Sequence, residues 1–165
     1  MAVKQKNLAT QIAEKFKKDR KFLGQLPAVL KKIPDVQKGV CLEALEFATE
    51  EKPELAAPYV GMVVDYLDHK APKVKWEASR VIANVAKKFP DDAAKAVPKL
   101  LANSKDKGTV VRWSAALALG EIAKNSEKAR KTLMPKINEI LKTEKNSGVR
   151  NVYLKAMKEM EKGRK

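Results

Sequence analysis

One short pattern returns four times along this chain of 165 residues, and its spacing leaves few architectures open. Val36, Val74, Val111 and Val149 head related segments and stand 38, 37 and 38 residues apart. Behind each valine, apolar residues recur at helical spacing. They are Val74, Ala78, Val81, Ile82, Val85 and Ala86 in the second copy, and Val111, Ala115, Ala118, Leu119, Ile122 and Ala123 in the third. A further helix precedes each copy and is marked by a proline, at Pro27, Pro58, Pro98 and Pro135. Proline is accepted in the first turn of a helix and kinks it further in. Repeated helix pairs of this length cannot bury their apolar faces alone, so neighbours must stack. Composition agrees: 44% of residues are hydrophobic but only 5% aromatic, with 7 glycines, which favours helix over sheet.

An acidic residue closes each first helix or the turn after it: Asp35, Asp68, Asp106 and Glu144. A basic or amide residue follows each valine (Gln37, Lys75, Arg112, Arg150) and could reach back to such a carboxylate. Units of about 37 residues, with Pro in the first helix, an acid in the turn and Val-Arg opening the second helix, resemble the HEAT-repeat family. The likeness runs over roughly residues 25–162 and is strongest from Ala96 to Ala123. It implies an all-α, right-handed superhelix of about four helix pairs, at about 25–52, 53–90, 91–126 and 127–162. The first copy departs at Gln37. The last departs at Tyr153, which takes a small residue's place, and at Glu161, as terminal units do when they turn a polar face outward. The resemblance implies an interaction scaffold rather than a particular chemistry.

Residues 1–22 form a separate basic segment ahead of the array at 23–165. Leu8, Ile12, Phe16 and Phe22 mark a narrow apolar stripe among lysines. A capping helix over the first unit fits that narrow stripe better than an amphipathic helix for an anionic membrane.

The catalytic and metal classes find little support. A single Cys41 and a single His69 exclude a disulfide framework and paired-histidine metal motifs, and no cofactor motif is present. Cys41 reads as a small residue packed in a helix, and His69 as a solvated turn residue. A glycosylase built on the same kind of solenoid would need a catalytic Asp flanked by aromatics on a second helix, and none is seen. The expectation is a non-enzyme. No apolar run approaches the roughly 20 residues needed to span a bilayer, and no secretory leader is visible. A free thiol then suits a cytoplasmic monomer.

Charge and the second helices carry what functional content remains. The chain has 35 Lys+Arg against 20 Asp+Glu, a net of +15, although residues 23–69 alone are acidic. In a curved stack the second helices line the concave side. Positions two, six, ten and thirteen after each valine should point away from the packed face. That places Trp76, Arg80, Asn84 and Lys87 in one rung, and Trp113, Leu117, Glu121 and Lys124 in the next. Asn151, Lys155, Glu159 and Lys162 form the last. The candidate binding residues are therefore Trp76, Arg80, Lys87, Trp113, Lys124 and Lys155. Tryptophans among basic groups suit a protein partner with an acidic surface; the same ladder could hold phosphates and stack bases of a nucleic acid. A partly buried packing role for both tryptophans is the plain alternative.

Overall fold

The computed structural model describes residues 2–163, and every regular element among them is helical. α1 spans Ala2–Lys18, α2 Arg20–Gly24, α3 Leu26–Leu30 and α4 Asp35–Glu51. After 3-10 turns at Pro53–Leu55 and Ala57–Tyr59 come α5 (Val60–Asp65) and α6 (Pro72–Ala86). α7 (Pro90–Ala93), a 3-10 turn at Ala94–Ala96 and α8 (Val97–Asn103) lead into α9 (Thr109–Asn125). α10 (Glu127–Thr143) and α11 (Ser147–Lys162) complete the last pair. Met1 and residues 164–165, the outer ends of the two expected segments, lie outside the described residues.

Two layers result. The long helices α1, α4, α6, α9 and α11 pack side by side in chain order; the shorter first helices and α10 form the second layer. All twelve apolar residues expected on the packed faces of α6 and α9 are in the core. Small side chains let the long helices approach closely. At Gly120 an added Cβ would lie only 2.9 Å from the Cβ of Ala156, across the α9–α11 contact. Val36 is the exception among the leading valines and stands exposed at the start of α4.

The prolines explain why the second layer is broken. Pro27, Pro58 and Pro98 each sit in the first turn of a short new element. A proline lacks the N–H and clashes with the preceding turn, so a helix arriving at it ends and restarts. Pro135 instead lies inside a continuous α10.

At the amino-terminal end α1 takes the place of a long helix before the first unit. Its contact with α4 uses a different stripe from the one expected. Ala9, Ala13 and Phe16 are buried, Ile12 is half-buried, and Leu8 is 49% exposed. The alanines allow close approach to α4, which turns Leu8 outward. Phe22 packs on Phe16, with ring centroids 5.5 Å apart.

The turns joining first to second helices fall in a row along one edge of the stack, strung together by side chains. His69 Nε2 is 3.4 Å from Asp35 Oδ1, Lys75 Nζ 2.8 Å from Asp106 Oδ2, and Arg112 Nε 2.8 Å from Glu144 Oε2. The basic residue after the valine thus reaches forward to the next unit's acid, not back to its own. Asp106 is already held in its own turn, accepting the Gly108 N–H at 2.8 Å. Arg112 binds that turn through the Asp106 carbonyl, and Arg150 binds its own through the Leu141 and Glu144 carbonyls. The opposite edge is tied by Lys88 to Glu54, Ser126 to Asp91 and Lys124 to Glu159.

Candidate functional site

Two clusters of polar side chains occupy the face of the long helices. The first joins α4 to α6. Arg80 Nη2 lies 3.2 Å from Glu46 Oε1, and Nη1 lies 3.7 Å from Glu77 Oε2. The indole N–H of Trp76 donates to Glu77 Oε1 at 3.0 Å. Glu46 and Glu77 are only 4% and 3% exposed. Burial raises both carboxyls against the pull of the Arg80 guanidinium, Glu77 to about 7. Among the described residues, Glu46 Oε2, Glu77 Oε2 and Arg80 Nε have no hydrogen-bond partner.

The second cluster joins α9 to α11. Lys124 Nζ lies 2.8 Å from Glu121 Oε1 and 2.6 Å from Glu159 Oε2. Burial works to lower the pKa of that ammonium, but the two carboxylates outweigh it and hold the value above the ordinary one. Beside this triad is a shallow hollow of about 190 Å³, bounded by Trp113, Leu117, Lys155 and Glu159, with Gly120 and Ala156 beneath. The hollow exists because the glycine and alanine bring the helix backbones together, leaving larger neighbours standing around them. Trp113 remains 36% exposed.

Trp113, Lys124 and Lys155 therefore meet at one place. Trp76 and Arg80 meet at another, one helix away, and Lys87 stands exposed at the end of α6, joined to neither. Asn84 does not point outward as expected. It is buried, donating to the Glu46 carbonyl at 3.0 Å and to Thr49 Oγ1 at 3.2 Å, so it fastens α6 to α4. The basic ladder is largely neutralised, since Arg80 and Lys124 each sit between two carboxylates. Glu46 and Glu77 were not anticipated as part of the face. Their signal was the row Glu43, Glu46, Glu50 at helical spacing on α4, opposite Arg80 one repeat later.

Neither His69 nor Cys41 belongs to these clusters. His69 is not a solvated turn residue: its Nδ1 accepts the Ala71 N–H at 3.0 Å and clips the turn before α6. Burial pushes the half-buried Cys41 thiol up, away from the reactive thiolate. Among the described residues no three metal-ligating side chains cluster, and no helix is long and apolar enough to cross a membrane. A larger open hollow of about 820 Å³ lies on the other layer, between α8 and α10, walled by Leu101, Pro135 and Ile140.

A family model described as HEAT repeats matches residues 62–158. No curated protein matches the chain. Among solved structures, an engineered protein is 24% identical with a TM-score of 0.70, covering 94% of this chain and 72% of its own. A designed armadillo repeat protein in complex with the peptide (KR)4 is 18% identical at a TM-score of 0.73, covering 92% and 73%. The complex of CpcE and CpcF of phycocyanin lyase from Nostoc sp. PCC7120 is similar at 21% identity and a TM-score of 0.67, covering 90% and 86%.

Proposed function

This chain belongs to the HEAT-repeat family, whose fold is typical of protein-binding scaffolds, and we propose that its long-helix face holds an extended, acidic segment of a protein partner. The hollow between α9 and α11 carries this reading. A tryptophan is left partly exposed at its rim, and Lys155 lines the same hollow. Among the described residues, no carboxylate lies within ion-pair distance of Lys155 or Lys87, in contrast to Arg80 and Lys124. Tryptophan on a concave, partly desolvated surface is a strong anchor, because covering it removes a large apolar area from water. An apolar side chain of the partner would seat on Trp113 and Leu117, and its flanking carboxylates would meet Lys155 and Lys87.

Phosphate binding in the same groove is not favoured. Glu121 and Glu159 line the hollow and already neutralise Lys124, and a phosphate has no apolar group to seat on Trp113 and Leu117.

Fluorescence of Trp113, isolated by Trp76→Phe, tests the reading with two peptides: an eight-residue Glu/Leu repeat and (KR)4. A saturable blue shift with the acidic peptide alone, weakened at least tenfold by Lys155→Glu, is expected. Equal or stronger response to (KR)4, or none to either, overturns it.

A further inference from the structure

Six exposed lysines stand on the edge formed by the turns between first and second helices. Lys31 and Lys32 lie in the first turn, Lys70 in the second, Lys105 and Lys107 in the third, and Lys145 in the fourth, all exposed. Among the described residues none except Lys70 has a carboxylate within 4 Å, and Lys70 lies 3.8 Å from Asp35. The acids of this edge are committed to internal pairs: Asp35 to Lys38, Asp68 to Lys99, Asp106 to Lys75 and Glu144 to Arg112. The contacts that string the turns together also set the segments carrying these lysines side by side.

We propose that this row of turns is a docking edge for the phosphate backbone of a duplex nucleic acid. The charge is arranged as a line. Four turns at a helix-packing spacing of about 10 Å make a row roughly 30 Å long. A duplex of that length carries on the order of 18 phosphates, a linear density that an acidic protein surface does not approach. The long α4, α6, α9 and α11 helices begin at this edge and add positive potential, offset in part by the C-termini of α3, α5, α8 and α10, which end there. Among the described residues the exposed large apolar side chains here are aliphatic, Val36 and Val110, while Trp113 lies on the long-helix face. The aromatic rings at this edge, Tyr66 and His69, are half-buried and packed on each other in one turn, so the edge lacks the row of exposed aromatics that single strands stack on, and the Trp, Phe and Leu that anchor a protein in a bilayer interface. Contacts of this kind position a duplex without reading its sequence.

Binding of a labelled 20-base-pair DNA to the full chain, measured by fluorescence anisotropy from 50 to 200 mM salt, tests the edge. Two variants of equal charge loss are compared: Lys31, Lys32, Lys105 and Lys107 changed to Gln, and Lys18, Lys21, Lys52 and Lys128 changed to Gln at the opposite edge. All eight side chains are exposed, and circular dichroism of both variants checks that they fold. The turn variant should bind at least tenfold more weakly at 100 mM salt, with a log–log salt slope shallower by roughly 3–4. The opposite-edge variant should stay within threefold of the parent. Equal losses in both variants overturn the proposal by showing that total charge alone acts. Absence of binding at 50 mM salt, or tighter binding to phosphatidylserine vesicles than to the duplex, overturns it as well.

Discussion

Arg112 fastens the third repeat to the fourth through Glu144, whose carboxylate lies 2.8 Å from the guanidinium Nε and is almost wholly shielded from water. Burial alone would raise that carboxyl. The backbone N–H of Asn146, 2.9 Å from Oε1, and the Arg112 guanidinium outweigh it and hold the pKa below the ordinary value. Removing one member of a shielded pair strands the other, at a cost of about 3–5 kcal/mol. Arg112→Leu should therefore lower stability by roughly 3 kcal/mol at pH 7 in urea denaturation. A carboxyl with a depressed folded pKa contributes stability that is full above its unfolded pKa and lost as pH falls through the folded value. The deficit of the variant should shrink at pH 3. A deficit that grows on acidification would refute this account of the pair.

Glu77 titrates in the opposite sense. Burial raises its carboxyl to about 7, so the folded state holds a proton that the unfolded chain has released. Its contribution is complete below about pH 4.5 and drains away as pH rises towards 7. Glu77→Gln keeps an acceptor for the Trp76 indole and abolishes that drain. The variant should match the parent near pH 4 and exceed it by about 3 kcal/mol at pH 8. Equal stability of the two proteins at pH 8 would show that Arg80 fully compensates the buried charge.

Gly120 reports how tightly the array is wound. Ala is the better helix former by about 1 kcal/mol, yet a methyl at this position meets Ala156 at 2.9 Å. Overpacking of this kind costs about 1–3 kcal/mol, so Gly120→Ala should cost a net of up to about 2 kcal/mol and should not stabilise the protein. Adding Ala156→Gly should recover part of the loss, giving a coupling energy above ~0.5 kcal/mol. Additive effects would mean that α9 and α11 are free to slide apart.

The repeat period and the packed faces of α6 and α9 were legible because both depend on spacing along one chain. Val74 and Val111 are periodic in sequence and buried in space for the same reason. The direction of the Arg112 contact was not legible, since reaching forward to Glu144 rather than back to Asp106 depends on what already holds Asp106. Leu8 and Ala9 exchange roles for a similar reason: hydrophobicity favours leucine, but close approach of α1 to α4 favours alanine. The candidate ladder was half legible. Trp113, Lys124 and Lys155 converge as their register suggests, whereas Arg80 is neutralised by Glu46 from the preceding unit. Sequence separation hides such pairs, because the distance that matters runs between units.

Tyr153 sits where the second and third units carry Ala78 and Ala115, and its full burial makes it the largest enclosed side chain among the described residues. Read as a sign of terminal divergence, it is instead a core element of the last pair. Its hydroxyl has no hydrogen-bond partner among the described residues, and burial keeps the phenol from ionising at its ordinary pH. An enclosed hydroxyl left unpaired costs about 1–3 kcal/mol, while the ring supplies nearly all of the packing. Tyr153→Phe removes the cost and keeps the ring. Thermal denaturation should show the variant more stable by ~1 kcal/mol, a rise of roughly 2–4 °C for a chain of this size. Tyr153→Ala should lose about 3–5 kcal/mol by opening a cavity. A Phe variant less stable than the parent would reveal that a buried water satisfies the hydroxyl, and would move Tyr153 from an apolar filler to a member of a polar network.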